Sequence, residues 1–222
     1  MPKKHALTKI NEMRGFQLEP NLTVILPGKS QAPCPFCLEP EGPAPRSIAY
    51  WVRSFEVLLA EIPPIFRTVS ISGGEPSISP AFGEVLSILA KYRAARRLKR
   101  IVLTTNGSVN ALTKFLPRMG AALTHANVSR HAVDDAVNAG VFKTDKVATR
   151  TELSELIRGF RAQQLPVNLN CVYSTAHAFG QPLIHYDIPS LRAEAERFVR
   201  FASEVGASSV AFRHDHRDPH LD

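Results

Sequence analysis

Two cysteines in the spacing Cys34-Pro-Phe-Cys37 follow Gly28-Lys29-Ser30, which matches the tail of a phosphate-binding loop. A Walker-type loop needs its first glycine at position 23, but that residue is Thr23, inside a β-branched run. Pro33 and Pro35 also remove amide donors where a helix start would cradle an anion. The phosphate reading therefore fails, and Gly28 and Lys29 are bystanders. A CxxC pair instead suits soft metal or redox chemistry. Structural zinc needs a second pair, and the sole further cysteine is Cys171. Near the other end, Arg213-His-Asp-His-Arg-Asp-Pro-His220 places His214 and His216 two apart beside carboxylates. That is a candidate metal cluster, although charged terminal segments of this kind are usually just solvated.

Six short β-branched runs alternate with stretches of helical period, the pattern of strand–helix units in a parallel sheet. They are Leu22–Leu26, Thr68–Ser72, Arg100–Thr105, Thr124–Ser129, Pro166–Tyr173 and Ser208–Arg213. Between them, apolar spacing predicts helices over Ser47–Ile62, from a Ser79-Pro80 start, around Ala111–Leu116, after a Thr149-x-x-Glu152 capping box, and over Ser190–Val205 before Gly206. No repeat or linker interrupts the series. It reads as one domain over residues 1–222, with 1–20 an N-terminal extension and 214–222 a C-terminal tail.

The strands carry small polar residues at period two: Ser70 and Ser72, Asn127 and Ser129, Asn168 and Asn170. Residues two apart on a strand share a face, and a parallel strand covered on both faces should be nearly continuous Val, Ile and Leu. A polar face is expected if the sheet curls around a cavity with its apolar face against an outer ring of helices. The fold class is thus α/β, a partial (β/α)6 TIM-like barrel with parallel strands, whose chemistry sits in loops at the carboxyl ends of the strands. The plainer alternative is that these polar groups pair with one another in a solid core.

Hydrophobic residues make up 44% of the chain and charged residues 21%, which argues against disorder. Three cysteines exclude a disulfide scaffold and point to a reducing compartment. No apolar run is long enough for a membrane helix, and no signal-peptide core follows Met1-Pro-Lys-Lys-His, so a cytoplasmic protein is expected. The net charge of +7 leans toward an anionic substrate and leaves nucleic acid open as a partner. Its densest run, Lys91–Arg100, reads better as a solvated helix end.

The order of three loops carries a resemblance. After the first run comes Cys34-Pro-Phe-Cys37, after the second Ser72-Gly-Gly-Glu-Pro76, and after the third Thr104-Thr-Asn-Gly107. Together these resemble the radical S-adenosylmethionine (radical SAM) superfamily, whose pattern is C-x-x-x-C-x-x-C followed by a GGEP-type motif. The resemblance covers nearly the whole chain. It implies a 4Fe-4S cluster on three thiolates, with S-adenosylmethionine on the fourth iron cleaved reductively to a 5′-deoxyadenosyl radical. It implies an electron donor such as flavodoxin or ferredoxin. On this chain Cys34 and Cys37 would be cluster ligands, and Gly73, Gly74 and Glu75 would hold the methionyl amino group. Ser129, with Arg130 as a second candidate, would meet the carboxylate or ribose. Thr105 and Asn170 are weaker candidates at the same mouth.

One position departs from the pattern. The first cluster cysteine should stand at residue 30, which is Ser30. A serine oxygen is a hard ligand where iron–sulfur sites use soft thiolates. Cys171 is not expected to replace it, because alternation from Asn168 and Asn170 turns it toward the helices. Two explanations stay open. Ser30 stands where the working enzyme has cysteine, or the protein keeps the fold with lost or modified radical chemistry and binds S-adenosylmethionine or a nucleotide. A CxxC zinc module is a third reading, and it explains neither GGEP nor the polar strand faces.

Overall fold

The six β-branched runs become strands within a residue of their expected bounds. They are β1 (Asn21–Leu26), β2 (Thr68–Gly73), β3 (Arg100–Thr105), β4 (His125–Ser129), β5 (Val167–Tyr173) and β6 (Ser209–His214). They form one parallel sheet in chain order, with Leu26 opposite Gly73 and Ser129 opposite Asn170. β1 and β6 each pair with one neighbour, so the barrel stays open. The computed structural model describes residues 20–37, 43–174 and 178–214. The expected N-terminal extension and His216 lie outside these, as does all of the tail beyond His214, whose backbone ends β6.

Alternation divides the sheet as its sequence requires. Val69, Ile71, Ile101, Leu103, Ala126, Val128, Val167, Leu169 and Cys171 are buried in the core. On the other face Ser70, Ser72, Thr104, Asn127, Ser129 and Asn168 remain half-buried. The core face is covered by α1 (Ile48–Glu61), α2 (Phe82–Ala94), α4 (Leu116–Ala122), α6 (Arg150–Ala162) and α7 (Ile188–Glu204), with α3 (Val109–Thr113) and α5 (Asp135–Phe142) between strands and larger helices. No helix among the described residues is long and apolar enough to cross a membrane.

Helix starts show where local signals held. Ser47 caps α1 by accepting from the Tyr50 N–H. Thr149 and Glu152 form the expected reciprocal box at α6. Thr149→Ala should therefore cost about 1 kcal/mol, read as a lowered denaturation midpoint at unchanged slope. Ser79-Pro80, by contrast, does not start α2, which begins at Phe82. Residues Pro76–Ile78 form a 3-10 turn instead, and the Ser79 hydroxyl donates to the Pro27 carbonyl at 2.6 Å. The single short helix expected around Ala111–Leu116 is two, α3 and α4, with proline in the first turn of the second. The final helix begins earlier than Ser190, because Asp187 and Ser190 cap each other.

Candidate active site

Loops from five strands meet at the carboxyl end of the sheet around a cleft of about 140 Å³. It is lined by Ser30, Cys34, Phe36 and Cys37 after β1, Ser72–Glu75 after β2, Thr104–Asn106 at β3, Ser129 and His131 at β4, and Val172 of β5. Phe36 lies 4.7 Å from the His131 ring. The loop after β1 thus reaches across the cleft to the turn after β4.

Gly73 and Gly74 make that convergence possible. Gly73 has φ +131°, and a Cβ there would lie 2.9 Å from the Leu26 carbonyl oxygen. A Cβ on Gly74 would lie 2.5 Å from the Ser30 nitrogen and 2.6 Å from the Lys29 carbonyl carbon. The pair lets the end of β2 close directly on the loop that carries the cysteines, as only residues without a side chain can.

Glu75 is buried and holds two loops together. Its Oε1 accepts from the Ser77 N–H at 3.0 Å, the Ser77 hydroxyl at 2.6 Å and the Thr105 hydroxyl at 2.7 Å. Its Oε2 accepts from the Asn106 N–H at 2.7 Å. Burial pushes its carboxyl above the ordinary range, and these donors pull it back. A carboxylate offers about four lone-pair sites, so Oε2 retains capacity for another donor. Glu75→Gln sets an amide N–H₂ against one of these donors. It should cost about 1–3 kcal/mol, measured by denaturant unfolding.

Cys34 and Cys37 are both half-buried, and the Cys37 N–H donates to the Cys34 carbonyl at 3.1 Å. Burial first, then the neighbouring Cys37, pushes the Cys34 thiol up to about 11. The Ser30 hydroxyl closes on its own loop, accepting from the Ala32 N–H at 3.0 Å and donating to the Ala32 carbonyl at 3.3 Å. Cys171 is fully buried behind the sheet, where burial raises its thiol to about 12, and it cannot reach this loop.

The remaining expected residues separate. Thr105 and Ser129 line the cleft, and Ser129 makes no hydrogen bond through its hydroxyl among the described residues. Asn170, opposite Ser129 in the sheet, is buried outside the lining, with its Oδ1 accepting from Asn168 at 2.6 Å. Arg130 faces away from the cleft. It is 1% exposed, donates to the carbonyls of Ala132, Ala148 and Val133, and pairs with Asp135 at 2.6 Å. Its guanidinium also lies 5.1 Å over the Phe201 ring. The expectation that Arg130 meets a ligand carboxylate or ribose is corrected by this packing, which gives it a framework role.

Sequence reading passed over Phe36, Asn106, His131 and Phe142. Phe36 was readable as the aromatic between two cysteines, and Asn106 as part of the TTNG loop. His131 had no local signal. It is held by Asn138 Oδ1, which accepts from its N–H, and its Nδ1 accepts from the Val172 N–H at 3.1 Å, leaving the ring proton on Nε2.

Buried polar atoms ordinarily have partners. Here Asn106 Nδ2 and Gln31 Oε1 have none, although the two amides join each other through Gln31 Nε2 and Asn106 Oδ1 at 3.3 Å. An orphaned donor on a residue lining the cleft, beside a carboxylate with spare capacity, fits a ligand bearing both carboxylate and ammonium groups. Two thiols on the same cleft fit a soft metal centre, with an oxygen at the third position. Among the described residues no three His, Cys, Asp or Glu side chains gather as a ready metal site.

A model of the radical SAM superfamily matches residues 30–175, starting at Ser30. A GTP 3′,8-cyclase of Geobacter sulfurreducens is 29% identical over 133 residues, 58% of this chain and 37% of that protein. Streptococcus suis SuiB bound to its precursor peptide SuiA superposes with TM-score 0.63 at 14% identity, over 95% of this chain and 43% of that one. The radical S-adenosylmethionine methyltransferase TsrM of Kitasatospora setae, with cobalamin and a [4Fe-4S] cluster bound, gives TM-score 0.58 at 17% identity, over 88% and 34%. The chain thus spans less than half the length of these relatives, and the structural likenesses establish the partial-barrel fold. With the family model covering the greater part of its 222 residues, this chain belongs to the radical SAM superfamily, whose cofactors are a 4Fe-4S cluster and S-adenosylmethionine.

Proposed function

We propose that this chain is the catalytic barrel of a radical SAM enzyme whose cluster loop supplies two thiolates, Cys34 and Cys37, and lacks the third at Ser30. The observation that carries the reading is the meeting, in one cleft, of that cysteine pair with Gly73, Gly74, Glu75 and the orphaned Asn106 amide. When bound, the cluster and S-adenosylmethionine supply one-electron reductive cleavage and a radical that abstracts hydrogen from substrate. Glu75 Oε2 would accept from the methionyl ammonium, and Asn106 Nδ2 would donate to the carboxylate. The Ser129 hydroxyl would serve the ribose. Phe36, Phe142 and His131 wall the cleft. Electrons would come from a flavodoxin or ferredoxin, and a cytoplasmic setting suits the free thiols.

A second reading is favoured by Ser30 itself. With its hydroxyl tied to Ala32, the loop can keep its shape without a cluster, as a non-catalytic barrel that binds S-adenosylmethionine or a nucleotide would require. Reductive cleavage separates the two. After anaerobic reconstitution with iron and sulfide and reduction with dithionite, Ser30→Cys should release 5′-deoxyadenosine, and adding Cys34→Ala should abolish it. An iron-loaded Ser30→Cys protein that releases none would leave the binding-only reading standing.

A further inference from the structure

At the base of the cleft, which Thr104 also lines, the polar face of the sheet carries a row of uncharged polar side chains in register: Thr104, Asn127, Asn168 and Ser209 on β3 to β6. Asn168 organises the row. Its Nδ2 donates to Asn170 Oδ1 at 2.6 Å and Asn127 Oδ1 at 3.4 Å, and its Oδ1 accepts from the Ser209 hydroxyl at 3.0 Å. Because both neighbouring carbonyl oxygens turn toward Asn168, the N–H₂ groups of Asn127 and Asn170 turn away from it. Neither has an acceptor among the described residues. Mutual pairing in a solid core accounts for the oxygens alone, and Asn127 and Asn168 are only half-buried.

The row bears no formal charge. Arg100 sits at the amino end of β3 and Arg213 near the carboxyl end of β6, so the basic groups flank the row. His125 stays neutral near pH 7, since burial and then Arg100 lower its pKa. Two neutral amide donors can satisfy carbonyl oxygens. They cannot offset the cost of stripping water from a phosphate or carboxylate.

We propose that this row is the substrate-reading floor of the chamber and that it takes a peptide-type substrate, with one backbone carbonyl on Asn127 and another on Asn170. The inference rests on the proposed function, because it takes the face at the base of the cofactor cleft as the reaction chamber. It departs from the anionic substrate that net charge alone suggests.

The test uses the full chain without cluster, labelled with 15N, and follows the side-chain amide signals of Asn127 and Asn170. The probes are N-acetylalanine methylamide, a neutral dipeptide mimic, and inorganic triphosphate. The dipeptide mimic should shift both signals saturably, and triphosphate should leave them in place. Asn168→Asp replaces the donor between the two amides with an acceptor and should turn both round to show oxygen to the chamber. The mimic should then bind about a hundredfold more weakly, the size of two lost neutral hydrogen bonds. Asn127→Ser, at a half-buried site, removes one of the two amides, should weaken the mimic about tenfold and guards against misfolding of the first variant. Shifts with triphosphate alone, no shift with either probe, or unchanged affinity in folded Asn168→Asp and Asn127→Ser would each overturn the proposal. No iron or S-adenosylmethionine enters this readout. Release of 5′-deoxyadenosine without mimic binding would refute the substrate class alone, and mimic binding without that release would refute the enzymatic reading alone.

Discussion

Arg130→Met should lower the unfolding free energy by about 3–5 kcal/mol, the low end of about 1–3 kcal/mol for each of three backbone carbonyls left without its donor. The guanidinium donates to three carbonyls at 2.6–2.9 Å, of Ala132, Val133 and Ala148, and pairs with Asp135. Methionine fills comparable volume but leaves those carbonyls without donors. Asp135 is partly exposed and can be rehydrated, so the loss is concentrated in the backbone acceptors. The Ala132 and Val133 carbonyls shape the turn after β4, which also carries His131, so cofactor affinity should fall together with stability. A variant with normal stability and impaired S-adenosylmethionine binding would instead return Arg130 to the ligand.

Gly74→Ala should produce the larger effect on the site itself. The new Cβ would stand 2.5 Å from the Ser30 nitrogen and 2.6 Å from the Lys29 carbonyl carbon, both backbone atoms that no rotamer change can move. Overpacking of this kind costs about 1–3 kcal/mol. The strain falls on the cysteine loop, so iron uptake by Ser30→Cys protein should drop sharply when Gly74→Ala is added. Gly140→Ala is a control, because nothing lies within 4 Å of a Cβ at that helical position. It should match or slightly exceed the parent in stability.

The strands were legible because β-branched runs bounded by turn residues leave few alternatives, and period two placed Cys171 behind the sheet correctly. The start of α2 was not, because the Glu75 carboxylate draws the Ser77 N–H into a 3-10 turn before the helix can form. That bond depends on Thr105 and Asn106, far along the chain, which hold the carboxylate in place. α5 escaped notice because only Asn138 and Phe142 of its residues are buried, too sparse a face for a helical period. At the site, residue types identified the cleft but not every role. Sequence cannot distinguish an arginine that faces a cavity from one surrounded by carbonyls, and Arg130 is the second kind. Gly73 and Gly74 were expected to hold a methionyl amino group. The structure brings Leu26 closest to Gly73 and the cysteine loop closest to Gly74.

We propose that the loop is built for a cluster and falls short by one thiolate. Iron and acid-labile sulfide per chain, measured after anaerobic reconstitution of the parent and of Ser30→Cys, test it most directly. Ser30→Cys should hold about four irons per chain, as a [4Fe-4S] centre requires, and the parent clearly fewer. Equal iron in both proteins, or none in either, would contradict it.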